Sequence, residues 1–178
     1  RANKRRLYSC FVDFRKAFDS VPRHLLWRRL QDIGINGNML TAIRSLYADV
    51  TARASTPSGL TDPFPCDLGV KQGCPLSPLL FGLYIDHVAS LITAADPTAP
   101  TLAGLTVALL LYADDLTLLS TTPEGLQRQL DALHSFCETA QLDVNLTKTE
   151  IVVFNPPTTR NPNRRQPQPT WHLNGNPI

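Results

Sequence analysis

Three carboxylates carry the first chemical hint in this chain: Asp13, Asp114 and Asp115. Asp114 and Asp115 follow an apolar run at residues 105–111 and the pair Tyr112-Ala113, and a second apolar run at 116–119 follows them at once. Two strand-like segments meeting at two acids read as a hairpin with carboxylates at its tip. Adjacent carboxylates repel unless a cation lies between them, and oxygen-only ligands suit magnesium. Asp also favours turns for backbone reasons of its own, so the pair alone decides nothing. Asp13 lies near the end of a third apolar run, LYSCFVDF at 7–14. A lone buried carboxylate there is costly to desolvate, so it is either hydrogen-bonded or a metal ligand. If the two strands are neighbours in one sheet, the three acids converge. Two metals ~3.5–4 Å apart could then clamp an in-line phosphoryl displacement. One would lower the pKa of an attacking hydroxyl; the other would neutralise a leaving pyrophosphate.

The elements that must hold these acids can be read from periodicity and punctuation. Residues 7–14 alternate as a strand. Residues 16–21 leave it as a short turn, and Asp19 or Ser20 is a candidate cap for a helix over about 23–32 with Pro22 near its start. Leu26, Leu30 and Ile33 form that helix's buried stripe, with Trp27 beside it, and Gly34 ends it. A second helix is expected over about 39–48, with Leu40, Ile43, Leu46 and Tyr47 inward. Residues 50–56 and 62–68 read as strands around a turn at 57–59. Two glycines and two prolines make 69–78 irregular. Pro78 opens a core helix to about residue 94. Residues 96–103 read as a loop before the acidic hairpin. Thr121 or Thr122 caps a helix whose first residue is Pro123, with Glu124 favourable in the first turn. Leu126, Leu130, Leu133, Cys137 and Ala140 are its stripe; His134 lies off it and is expected to be exposed. Residues 142–145 are a short extended piece, 151–154 a strand, and 171–178 a final strand and turn. Helices separated by antiparallel pairs suggest an α+β layer with one sheet face covered by helices.

Composition is that of a globular domain: 178 residues, 43% hydrophobic and 18% charged. A net charge of +2 is too small to argue nucleic-acid binding by itself. Basic residues gather at Arg1, Lys4, Arg5 and Arg6 and again at Arg160, Arg164 and Arg165, either as solvated ends or as phosphate contacts. Cys10, Cys66, Cys74 and Cys137 make no C-x-x-C pair, which argues against zinc. Cys10 and Cys137 read as reduced core residues, which favours an intracellular compartment. Apolar runs fall short of the ~20 residues of a membrane span, and no membrane association is expected. Residues 155–170 are a Pro-rich, polar insert, expected to be flexible.

Taken together, the motifs resemble the reverse transcriptases of non-LTR retrotransposons, with group II intron enzymes as nearest neighbours. FVDFRKAFDSV at 11–21 resembles motif A, residues 69–78 motif B, YADD at 112–115 motif C, and residues 141–150, with Asn145 and Lys148, motif D. Residues 171–178 are similar to the motif E primer-grip hairpin. The resemblance implies a polymerase palm, with Asp13 and Asp114 as the main metal ligands and Asp115 as a third, less direct one. The carbonyl of Val12 or Phe14 would add a ligand. Two magnesium ions are implied, with manganese as an alternative. Phe18 would lie under the sugar and clash with a 2′-hydroxyl, selecting dNTPs. Gln72 and Gly73 would shape the nucleotide pocket, and Lys148 would face the leaving phosphates as a general acid or counter-charge. Tyr112 and Ala113 would touch the primer end and the template base pair. The implied partners are RNA template, DNA primer and dNTPs; the oligomeric state is left open.

The expected function is RNA-directed DNA polymerase. The chain reads as a palm piece, residues 1–178, without fingers or thumb, and is expected to be inactive alone. Localisation is expected to be intracellular, and nuclear if the source is eukaryotic. The rival readings are a non-catalytic polymerase-like remnant, an RNA-binding maturase-like module, or an RNA-dependent RNA polymerase. The last usually carries Gly-Asp-Asp and a smaller sugar-gate residue, against which Tyr112-Ala113 and Phe18 both speak.

Overall fold

The computed structural model describes residues 6–155 and 169–178. Arg1, Lys4 and Arg5, the later cluster Arg160, Arg164 and Arg165, and nearly all of the Pro-rich segment lie outside the described residues. In chain order the elements are β1 (Leu7–Val12), α1 (Ala17–Ser20), α2 (Arg23–Asp32), α3 (Gly37–Ser45), β2 (Thr51–Ala52), β3 (Ser55–Thr56), β4 (Gly59–Leu60), β5 (Phe64–Pro65), α4 (Ser77–Ile85) and α5 (His87–Ala95). They continue as β6 (Thr101–Leu102), β7 (Leu105–Thr106), β8 (Leu109–Tyr112), β9 (Asp115–Ser120), α6 (Pro123–Ala140), β10 (Glu150–Phe154), β11 (His172–Leu173) and β12 (Asn176–Pro177). The chain divides into two compact units, one of Arg1–Arg15 with Asp86–Ile178 and one of Lys16–Ile85.

The first unit is built on a four-stranded sheet in the order β10-β1-β9-β8, each neighbouring pair antiparallel. Period-two alternation assigns its faces. Tyr8, Cys10, Val12, Leu116, Leu118 and Ser120 are buried, on the face where α5 and α6 pack. Phe11, Leu110, Tyr112, Val152 and Phe154 point the other way and are exposed. This is the α+β layer with helices on one face that the element order suggests. Helix α6 forms as the punctuation predicts: Thr122 accepts from the Gly125 amide, Pro123 occupies the first turn, and Gln141 closes the helix in the left-handed region at φ 51°. Its buried Leu126, Leu130 and Leu133 each contribute about 1.5–3 kcal/mol of apolar burial. His134 is half-buried and lies 3.5 Å from Glu138, so it is less exposed than its place off the stripe suggests. Burial pushes the thiols of Cys10 and Cys137 up to about 12, helped at Cys137 by Asp143, which makes both poor nucleophiles.

Several boundaries differ from expectation. Residues 96–103 are not all loop, because β6 and β7 pair across 101–106. The run at 105–111 therefore divides into β7 and β8. Asp96, just before this hairpin, is fully buried and accepts from Thr98, Arg128 and Gln129.

In the second unit α2 packs on α3 and α4. Leu26, Leu30, Leu40, Ile43 and Tyr47 are buried as read, but Ile33 and Leu46 are exposed. Each lies just past its helix end, where the helical period no longer decides which way a side chain faces. Neither Asp19 nor Ser20 caps α2, whose N-cap is Pro22 without a side-chain bond. The strands read at 50–56 and 62–68 shrink to the two-residue ladders β2–β5 and β3–β4. Most of their residues are exposed, so no buried apolar face extends them. The helix expected from Pro78 starts at Ser77 and divides at Asp86 into α4 and α5. Residues Ser77–Ala95 are long and apolar enough, by length and composition, to cross a membrane. Within it Leu80, Phe81, Tyr84, Ile85, Val88 and Ile92 are buried, while Leu79 is exposed. A helix apolar on nearly every side offers no period from which to tell Leu79 apart.

Candidate active site

The acids meet through strand register. Val12 pairs with Leu116 across β1–β9, and Tyr112 pairs with Asp115 across β8–β9. One step further along β1 brings Asp13 opposite Asp115, with Asp114 at the hairpin tip beside it. Ala113 completes the tip at φ 53°, a left-handed conformation that costs a non-glycine residue about 1–2 kcal/mol. Strain of this kind gathers where a tip must present particular side chains. Tyr112 is 82% exposed on the open face of the sheet.

Asp13 is held by its backbone. Its amide donates to Thr149 Oγ1 at 3.3 Å and its carbonyl accepts from the Asn145 amide at 2.7 Å. Beyond it Phe14 bridges Val144, and the Arg15 amide donates to the Asp143 carbonyl at 2.7 Å. Residues 143–149 therefore clamp the end of β1. Lys148 is exposed in this turn, its amide donating to the Asn145 carbonyl at 3.0 Å. Thr149 was not legible as a clamp; only its place inside the motif D segment hinted at one.

Among the described residues, the carboxylates of Asp13, Asp114 and Asp115 make no hydrogen bond or ion pair. No group of three His, Cys, Asp or Glu side chains among them is drawn together into a ready metal cage. The expected convergence is thus one of backbone positions. Donor chemistry nonetheless fits a hard divalent cation: three partner-free carboxylates and oxygen ligands throughout.

Phe18, Gln72 and Gly73 come together in the second unit, around a cavity of about 390 Å³ whose lining also includes Cys74, Pro75 and Pro78. The Phe18 ring stacks on Phe81 with centroids 4.8 Å apart. Gly73 has φ 77°, a conformation that calls for glycine. Gly69, at φ 80°, passes so close to α1 that a Cβ there would lie 2.8 Å from Asp19 backbone atoms. Arg23 donates to the carbonyls of Gly69 and Leu68 and sits over the Tyr47 ring at 5.1 Å. A larger cavity, about 430 Å³, lies in the first unit against His134, Glu138, Asp143 and Leu173 and holds none of the residues singled out from the sequence.

A family model described as Reverse transcriptase (RNA-dependent DNA polymerase) matches residues 1–172. The chain belongs to this reverse transcriptase family. It is 30% identical over 137 residues to a Retrovirus-related Pol polyprotein from type-1 retrotransposable element R2 of Popillia japonica, covering 77% of this chain and 23% of the relative. It is 29% identical over 143 residues to the Retrovirus-related Pol polyprotein from type-2 retrotransposable element R2DM of Drosophila melanogaster, covering 79% and 13%. The chain thus spans less than a quarter of the length of these relatives. Among solved structures, apo telomerase from Candida Tropicalis truncated from its C-terminal domain superposes with TM-score 0.64 at 21% identity, over 87% of this chain and 32% of that one. The telomerase from Candida Tropicalis in complex with a fragment of telomeric RNA gives 0.65 at 17%, over 86% and 27%. At these identities the likeness shows the fold, a polymerase palm. Members of the reverse transcriptase family depend on a divalent metal. The segments that resemble motifs C, D and E in sequence form the β8–β9 hairpin, the clamp on Asp13 and the β11–β12 hairpin; Trp171, just before β11, is buried and donates to the Pro123 carbonyl at 3.0 Å.

Proposed function

We propose that this chain is the catalytic palm of an RNA-directed DNA polymerase that adds dNTPs to a DNA primer on an RNA template. The observation that carries the reading is the register that sets Asp13 opposite the YADD hairpin with all three carboxylates free of protein partners. In the reaction the primer 3′-hydroxyl attacks the α-phosphorus of a dNTP, a new P–O bond forms, and the bond to pyrophosphate breaks. Asp13 and Asp114, with Asp115 as a third ligand, would hold two magnesium ions, or manganese in their place. Bound there, the ions would lower the pKa of the attacking hydroxyl and neutralise the leaving phosphates. Lys148, exposed on the turn docked to Asp13, supplies a positive charge or a proton to the leaving group. Phe18 walls the sugar side of the nucleotide pocket, with Gln72 and Gly73 beside it. Tyr112 and Ala113 meet the primer end. The RNA bound by one telomerase neighbour is in keeping with an RNA template.

The test is primer extension on RNA by the polypeptide that carries this chain. Asp114→Asn should slow extension by about a thousandfold or more, the equivalent of several kcal/mol of lost charge stabilisation. Unimpaired extension by Asp114→Asn would sink the ligand assignment.

A further inference from the structure

The loop of motif B and the turn of motif A are laced together inside the second unit. The Gly69 amide donates to the Val21 carbonyl at 2.9 Å and the Val70 amide to the Phe18 carbonyl at 2.8 Å. Gly69 approaches the Asp19 backbone so closely that any Cβ would collide with it. These contacts set where the Asp19 side chain emerges. It does not cap a helix; it reaches Gln72, whose Nε2 donates to Oδ1 at 2.9 Å and to Oδ2 at 3.1 Å.

A carboxylate can only accept hydrogen bonds, whereas a glutamine amide has one donating and one accepting edge. The edge against Asp19 must therefore be the NH₂, because the opposite orientation would set an oxygen against two carboxylate oxygens. Oε1 is left as the free edge, with no hydrogen bond among the described residues. Gln72 also lines the cavity of about 390 Å³ with Phe18, Gly73, Pro75 and Pro78, side chains that offer no acceptor, with Lys71, which offers only donors, and with Cys74, a weak acceptor at most. Ser77, the remaining lining residue, is engaged elsewhere: its hydroxyl donates to the Lys71 carbonyl at 2.6 Å and lies 3.4 Å from the Tyr47 hydroxyl.

We propose that Asp19 is a positioning residue that sets the polarity of this pocket, holding the Gln72 amide so that the pocket wall presents an acceptor and selects a ligand carrying a hydroxyl donor. The proposal rests on the polymerase reading, under which that ligand is the sugar of the incoming nucleotide. Asp19 acts only through Gln72. Because both residues are exposed, the pair adds little to stability. Its effect is on orientation.

The variants are chosen by hydrogen-bond polarity. Asp19→Glu keeps an acceptor, Asp19→Asn offers either edge, and Asp19→Lys offers donors only and should turn the Gln72 NH₂ toward the pocket. In primer extension the readout is the ratio of kcat/KM for a dNTP to that for its 3′-deoxy analogue, in which effects of charge on the triphosphate cancel. Asp19→Glu should retain the parent's ratio. Asp19→Asn should narrow it about twofold, since half the amides face the wrong way. Asp19→Lys should narrow it about tenfold. An unchanged ratio in Asp19→Lys would overturn the proposal while leaving the polymerase reading intact. Failure of the parent polypeptide to extend any primer would overturn that reading instead. The orientation itself is then decided without activity, by the Gln72 side-chain NH₂ resonances of the 178-residue chain. They should shift in Asp19→Asn and Asp19→Lys; resonances indifferent to both would refute the orienting role.

Discussion

Replacing Gly125 with Ala tests the buried polar knot beneath α6. In a helix interior Gly→Ala ordinarily stabilises by about 1 kcal/mol, and less in a first turn. Here a Cβ would run into Ser120 Oγ and lie 2.6 Å from both carboxylate oxygens of Asp96, whereas ordinary contact begins at 3.4 Å. The neighbours cannot swing aside. Asp96 is 0% exposed and accepts from the Thr98 amide at 2.9 Å, Thr98 Oγ1 at 2.6 Å, Arg128 at 3.1 Å and Gln129 at 3.3 Å. Ser120 Oγ accepts from the Thr122 amide at 3.2 Å. Overpacking costs about 1–3 kcal/mol, and losing one hydrogen bond to a buried charge adds about 1.5–3 kcal/mol. The gain in helix propensity is smaller than either, so the net expectation is a loss of about 2–4 kcal/mol. Urea unfolding of the 178-residue chain, followed by circular dichroism, reads it as a lower midpoint at an unchanged slope. Gly82→Ala in α4 is the control, because its Cβ would meet nothing within 4 Å and its φ is not positive. It should stabilise by about 0.5–1 kcal/mol. A Gly125→Ala chain as stable as its parent would refute the argument that Asp96 and Ser120 are immovable.

The same knot predicts a pH dependence. Burial tends to raise the Asp96 carboxyl, but hydrogen bonds from Ser120 and Thr98, with the Arg128 guanidinium, hold it below its ordinary 3.8. A depressed folded pKa gives stability that is complete above the unfolded value and is lost as pH falls through the folded one. The parent's urea midpoint should therefore fall as pH drops below about 4, and Asp96→Asn should lower the midpoint at neutral pH while flattening that acid slope; an equally steep slope in the variant would refute the assignment. At the proposed sugar gate, Phe18→Ala should raise rNTP incorporation relative to dNTP by about tenfold, measured as competing kcat/KM values; unchanged selectivity would show that Phe18 is packing against Phe81 and nothing more.

What was legible in the sequence followed from short-range rules. Thr122-Pro123, the stripe from Leu126 to Ala140, and the two apolar runs flanking Asp114-Asp115 are local signals; each formed the element expected, save that the first run divides into β7 and β8. Asp13, Phe18, Gln72, Gly73 and Lys148 were legible as types in motif order, because their spacing along the chain resembles a family pattern. Illegible were pairings of high sequence separation. Thr149 lies 136 residues from the Asp13 amide it accepts from. Asp96 reads as a loop acid, and only the fold buries it under Arg128 and Gln129. Asp19 reads as a helix cap because Asp before Pro22 is a good local cap; the approach of Gly69 gives its carboxylate a different partner. Ile33 and Leu46 were misplaced for a related reason, since apolar side chains at a helix end carry little facing information.

The way Asp13 is held bears on what its side chain is for. A buried structural aspartate satisfies its carboxylate with amides or a cationic neighbour, as Asp96 does. Asp13 does the opposite. Its amide goes to Thr149, its carbonyl to Asn145, and the next residues are tied to Val144 and Asp143. Every constraint falls on the backbone, and none consumes a carboxylate oxygen. The hairpin follows the same rule: the Tyr112–Asp115 pair and the left-handed Ala113 fix the tip while leaving both acids unpartnered. Two segments distant in sequence thus bring three carboxylates to one end of the sheet on backbone constraints alone. Asp13 and Asp114 are half-exposed and Asp115 is exposed, so water can solvate them, whereas buried Asp96 must find its donors within the protein. Carboxylates left open in this way stay available to a hard cation, which is what the proposed metal assignment requires.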